Sequence, residues 1–202
     1  MPRRPIMVLA AFILLIAAGL GGYAWMSHEL HGPRSSGVAL VGGPFSLVNQ
    51  DGKRVTEKDF LGNYMLVFFG YTYCPDVCPT ELQVMTAALD QLGPEASRIQ
   101  PVFVSVDPAR DTPEVLKAYV ANFGPRLIGL TGTEAEVAAI AKAYRVYYAK
   151  AGNGASATDY LMDHSSIIYL MGPDGRFVKH MPYTTDAAKL ATELKETLRT
   201  SP

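Results

Sequence analysis

The first pattern along the chain is an unbroken apolar one. Residues 6–26, IMVLAAFILLIAAGLGGYAWM, hold 21 positions without a charge. At about 1.5 Å per residue a helix of that length spans a hydrocarbon core of roughly 30 Å, so the stretch predicts a transmembrane anchor. Arg3 and Arg4 precede it, while Glu29 and Arg34 roughly cancel after it. The positive-inside rule then keeps residues 1–5 in the cytoplasm and exports everything after about residue 27. Tyr23 and Trp25 stand where an interfacial aromatic belt would be. A cleaved signal peptide is the alternative, but its apolar region is usually shorter and no convincing small-x-small site stands near residues 23–30. Both readings export the rest. Residues 27–43, SHELHGPRSSGVALVGG, lack periodicity and read as a linker, with His28 and His31 as solvated side chains.

From residue 44 to 202 strand and helix patterns alternate. PFSLVNQDGKRVT reads as a hairpin closed at Gln50-Asp51-Gly52. YMLVFFGY, 64–71, is a continuous apolar run of the kind buried on both faces of a sheet. Cys78, Leu82, Met85, Leu89 and Leu92 then form one helical stripe, stopped at Gly93-Pro94. PVFVSVD, 101–107, is a second buried strand, and Thr112-Pro113 caps and starts the helix EVLKAYVANF. LIGLTG is a short strand, EAEVAAIAKAYRV a helix and AKAGNGASATD a loop of small residues. SSIIYLM, the turn GPDG and RFVKHM form a late hairpin, and DAAKLATELKETLR an amphipathic closing helix. Such an order describes an α/β fold with a mixed central sheet flanked by helices.

Composition changes this picture little. The chain of 202 residues is 49% hydrophobic with a formal net charge of −1, which suits one folded domain. It has no run of Lys/Arg to act as a footprint for nucleic acid, and that class is set aside.

The chemistry concentrates in FFGYTYCPDVCPTEL, which holds the only two cysteines, Cys74 and Cys78. A disulfide closing so short a loop would contribute about 2 kcal/mol, against nearly 5 kcal/mol for a loop of about 100 residues. A staple is therefore the weaker reading, and a redox couple or a metal site the stronger. The pair lies where a buried strand gives way to a helix, the edge at which α/β sheets bind ligands. A helix N-terminus there lowers a thiol pKa and makes sulfur both nucleophile and ligand. Either Pro79 opens the helix and Cys74 lies on the loop before it, or Pro75 opens it and Pro79 disturbs the first turn. On both readings the sulfurs converge, with Cys74 the more exposed.

A metal site needs a further ligand. His164, in DYLMDHSSIIYL, stands directly before a predicted strand. By spacing alone a satisfied polar histidine is the commoner outcome. Should it converge with the cysteines, two thiolates and an imidazole favour copper, whereas structural zinc takes four ligands in a closed site.

GYTYCPDVCPTEL, VSVDPARDTPEVLKAY and DYLMDHSSIIYLMGPDG, in that order behind an N-terminal anchor, resemble the Sco/SenC family of copper-binding proteins. The likeness runs from about residue 44 to 199. It implies a thioredoxin-like fold and a copper site, for Cu(I) or Cu(II), made by Cys74, Cys78 and His164. It also implies delivery of copper to the CuA centre of cytochrome c oxidase, or reduction of the cysteines that will hold it. The implied partners are the oxidase subunit carrying the CuA site and a periplasmic copper donor. Thioredoxin-like oxidoreductases usually have CxxC and a cis-proline, where this chain has CxxxC and His164-Ser165. Asp107 resembles a family aspartate near the site, in a second-shell position or as a strand-end turn residue. Tyr160 and Asp163 carry no assigned role.

The expected function is thus a metal carrier rather than a conventional enzyme. The alternative is a thiol–disulfide oxidoreductase using Cys74 and Cys78 as attacking and resolving thiols. A peroxiredoxin-like peroxidase would need Thr three positions before the reactive cysteine, where Tyr71 stands and Thr72 follows. The N-terminus lacks the long Arg/Ser-rich segment of a mitochondrial precursor. The expectation is a bacterial inner-membrane protein, single-pass, with its C-terminal domain in the periplasm.

Overall fold

The computed structural model describes residues 16, 17, 19–22, 41–151, 160–183 and 185–200. The chain divides into two units, Met1–Val38 and Ala39–Pro202. In the first, the six described residues are helical. Most of the expected anchor, nearly all of the linker with His28 and His31, and residues 152–159 of the small-residue loop lie outside the described residues. Among those described, no helix is long and apolar enough to cross a membrane.

The second unit is built on a seven-stranded mixed sheet of order β2-β1-β5-β4-β3-β8-β9. β1 (Ser46–Asn49) and β2 (Arg54–Thr56) form the expected hairpin. Its turn is closed by Gly52 at φ +74° and by Asn49, whose side-chain oxygen accepts from the Asp51 and Lys53 amides at 3.0 and 2.9 Å. β3 (Tyr64–Gly70) is buried at every position, as its apolar run requires. It lies parallel to β4 (Ile99–Ser105), which lies parallel to β5 (Ile128–Thr131). β8 (Ile167–Met171) and β9 (Phe177–Pro182) make the late hairpin, and β8 runs antiparallel to β3.

Among the described residues four α-helices flank the sheet: α1 (Val77–Leu92), α2 (Pro113–Val120), α3 (Glu134–Tyr144) and α4 (Ala187–Thr200). Cys78, Leu82, Met85, Leu89 and Leu92 are all buried, so the stripe faces the core. The Thr112 hydroxyl accepts from the Val115 amide and caps α2 as expected. Thr133 and Glu136 form a reciprocal capping box on α3. Phe68, Phe69, Leu66, Phe103, Leu82 and Leu116 fill the centre.

Two local readings change. α1 starts at Val77, between the two proline boundaries considered from sequence. Pro79 is its third residue, where an amide hydrogen would have no intrahelical acceptor, so the ring removes no helix bond. The loop expected at 149–159 begins instead as a strand. β6 (Tyr148–Ala151) pairs with β7 (Leu161–His164) in a separate two-stranded ribbon. His164 therefore ends one strand, β7, and also stands just before the expected one, β8.

Candidate metal centre

Strand directions bring the chemistry to one edge. β3 and β4 are parallel and in register from Tyr64↔Ile99 to Gly70↔Ser105, so the loops after both open on the same side. β8 is antiparallel to β3 with Phe68 opposite Ile168, so the residues before β8 arrive at that side too. Cys74 follows β3, Asp107 follows β4 and His164 ends β7 just before β8, so all three lie at the edge where open α/β sheets place ligands.

Cys78 Sγ lies 3.3 Å from His164 Nε2. The ligand atoms of Cys74, Cys78 and His164 all fall within 4.8 Å of one another. Cys78 is fully buried, whereas Cys74 is half-buried on a cleft of 280 Å³ lined by Tyr71, Pro75, Asp76, Leu161 and His164. The Cys78 amide, an orphan donor of the first helical turn, points at Cys74 Sγ at 3.4 Å. A sulfur thus caps α1.

The two thiols titrate apart. The hydrogen bond from the Cys78 side chain holds the Cys74 thiol far below its ordinary range, helped by His164 and by the Cys78 and Asp76 amides, against a desolvation cost. The same bond, and then burial, push the Cys78 thiol up. Cys74 is therefore the first of the pair to ionise.

His164 Nδ1 lies 3.3 Å from the Ser165 carbonyl oxygen. A carbonyl only accepts, so Nδ1 carries a hydrogen there and Nε2 is the ring nitrogen that faces the sulfurs. Phe68 and Tyr71 meet the imidazole edge-to-face, with centroids at 6.0 and 5.9 Å, and fix the ring plane.

Around these residues runs a polar frame. Asp107, 2% exposed, accepts from Tyr160 Oη at 2.7 Å and from Arg110 Nε, and reaches the site through them. Arg110 Nη1 donates to the Tyr160 carbonyl at 2.8 Å, and its guanidinium lies 3.7 Å over the Tyr160 ring and 4.6 Å over Tyr73. Asp111 accepts from the Thr72 amide at 3.1 Å, the Thr72 hydroxyl at 2.6 Å and the Ser105 hydroxyl at 2.5 Å. Burial raises its carboxyl above the usual carboxylate range. Thr72, the residue weighed for peroxide chemistry, has its hydroxyl committed there. Asp163 stands exposed on the cleft rim. Arg110, Asp111 and Thr72 were missed from sequence. The second acid of DPARD was their one signal.

The family model described as SCO1/SenC matches residues 33–199. The chain belongs to the SCO1/SenC family. "Protein SCO1 homolog 1, mitochondrial" of Arabidopsis thaliana is 46% identical over 166 residues, covering 82% of this chain and 49% of that protein. The chain thus spans about half the length of that curated relative. Among solved structures, "Arabidopsis thaliana ScoI with copper bound" is 44% identical with a TM-score of 0.75, covering 80% of this chain and 99% of that one. A second, described as "Identification of a disulfide switch in BsSco, a member of the Sco family of cytochrome c oxidase assembly proteins", is 26% identical with a TM-score of 0.63. It covers 82% of this chain and 98% of that one. The mixed α/β fold with its central sheet is therefore that of SCO1/SenC structures.

Proposed function

We propose that this SCO1/SenC chain is a membrane-anchored copper chaperone, taking copper on Cys74, Cys78 and His164 and delivering it to the CuA centre of cytochrome c oxidase. One observation carries the reading: two sulfurs and an imidazole nitrogen within 4.8 Å, one sulfur half-buried on an open cleft. Two soft thiolates with one imidazole suit Cu(I) and also resemble the His and Cys ligands of Cu(II)–thiolate centres. The copper-bound structure of a relative 44% identical supports that choice. Loading displaces the proton held on Cys78, while Cys74 already presents a lone pair and His164 turns Nε2 to the sulfurs. The half-exposed Cys74 edge is where an incoming partner ligand attacks the ion, so release begins there.

In this reading residues 6–26 anchor the protein in a bacterial inner membrane and residues 27–43 form the linker. Residues 44–202 are a thioredoxin-like periplasmic domain, loaded by a periplasmic copper donor.

A second reading is favoured by the split between the thiols. The Cys74 thiolate attacks a partner disulfide, and one partner sulfur leaves as thiolate. Cys78 then gives up its proton and attacks Cys74 Sγ, forming the Cys74–Cys78 disulfide and releasing the second partner thiol. Two electrons pass from this chain to the partner. The "disulfide switch" of the relative 26% identical is consistent with it.

Mixing the copper-loaded chain with a metal-free CuA domain tests both. A CuA absorption spectrum formed from the reduced domain supports delivery, and persistent retention of copper by this chain overturns it. Loss of thiols from the metal-free reduced chain, matched by a gain in an oxidised CuA domain, supports the second reading.

A further inference from the structure

His164 sits on a ribbon that stands apart from the main sheet. β6 and β7 pair only with each other, outside the seven-stranded sheet. A two-stranded ribbon is marginal in water without further attachment. At one end it continues through Ser165 and Ser166 into β8. The other end, at Tyr160, is held by Arg110.

We propose that Arg110 is a positioning residue that ties the ribbon bearing His164 to the cysteine loop and sets the reach between imidazole and sulfurs. The inference rests on the copper reading for its consequence, though not for its geometry. The Arg110 guanidinium touches all three segments involved. It pairs with Asp107 on the loop after β4, donates to the Tyr160 carbonyl at 2.8 Å and stacks 3.7 Å over the Tyr160 ring. It also lies 4.6 Å over Tyr73, the residue before Cys74, and 5.8 Å over Tyr71. Tyr160 returns a bond from its hydroxyl to Asp107 at 2.7 Å, closing the clamp. Tyr71 adds a second attachment, a hydrogen bond with the Met162 backbone, beneath the same guanidinium. A planar fork that bonds and stacks at once is a property of arginine that lysine lacks.

The test uses the full chain, metal-free and copper-loaded, as wild type, Arg110→Ala, Arg110→Lys and Tyr160→Phe. Arg126→Ala serves as control, since Arg126 bonds the Ile99 carbonyl at the opposite end of β4. In the metal-free Arg110→Ala protein, amide exchange across Leu161–His164 should rise about tenfold or more while β3 stays protected. Copper affinity should fall by about 10–100-fold, with the copper–thiolate spectrum moving toward that of His164→Ala. Lysine should restore part of the protection, and Arg126→Ala should leave ribbon and spectrum unchanged. Should Arg110→Ala fail to fold, Tyr160→Phe and Arg110→Lys give the same readouts in smaller measure. Unchanged ribbon exchange overturns the inference, as does unchanged affinity in a wild type that binds copper. A ribbon that loosens in a wild type that binds no copper upholds the tether and refutes the copper reading alone.

Discussion

Gly70, the last residue of β3, has no room for a side chain. A Cβ there would stand 2.7 Å from Cys78 Sγ, 2.9 Å from Phe103 Cε2 and 3.3 Å from Phe68 Cε1. Cys78, Phe103 and Phe68 are all fully buried, so none has space to retreat into. If the sulfur alone yields, regaining ordinary contact moves it by about 0.7 Å. Metal–ligand distances tolerate only about 0.2 Å. Gly70→Ala should therefore cost about 1–3 kcal/mol of stability by overpacking. It should also weaken copper binding at least tenfold, a loss of about 1.4 kcal/mol in ligation. Denaturant unfolding measures the first, and chelator competition on the reduced chain the second. Gly129→Ala is the control, since its Cβ would meet Val120 Cγ1 at 3.0 Å on β5, away from the sulfurs. It should destabilise without touching copper affinity. Equal affinities for wild type and Gly70→Ala would refute the reasoning, because the Cys78 sulfur would then not be held where the metal needs it.

Three further outcomes follow from the same geometry. Alkylation of the reduced, metal-free chain should modify Cys74 rapidly even at mildly acid pH and leave buried Cys78 untouched, as peptide mapping would show; equal labelling would contradict the assignment of charge. Glu81, 2% exposed, has its carboxyl pushed up to about 7 by burial, so the folded state retains a proton that the unfolded chain gives up at about pH 4.5. Stability should fall as pH rises from about 4.5 to about 7 and then level off, and Glu81→Gln should remove that slope in urea titrations. Asp111→Ala strands one buried donor on Ser105 and two part-buried donors on Thr72, and should lower unfolding free energy by about 2 kcal/mol or more.

Legibility from sequence followed the range of the forces involved. β3 and β4 were plain because burial on both faces leaves a continuous apolar run, and α1 because its stripe repeats over four turns. The start of α1 was not, because two prolines offered two boundaries, and the structure settles it with the Cys74 sulfur as cap. β6 was invisible: Tyr-Ala-Lys-Ala has neither alternation nor β-branched residues, and its partner β7 begins ten residues after β6 ends. His164 lies 86 residues from Cys78, a separation that no local pattern encodes, so only family resemblance raised it. Arg110 and Asp111 act through partners 50 and 39 residues away, which no local pattern marks.

The most direct measurement is copper bound per molecule by the reduced chain beside its His164→Ala counterpart, with the Cu(II)–thiolate spectrum recorded for each. One copper per wild-type chain, with severe loss of affinity and an altered spectrum in the variant, is the result predicted. Equal binding by both, or none by either, would contradict the two-thiolate and imidazole centre and leave Cys74 and Cys78 as a redox pair.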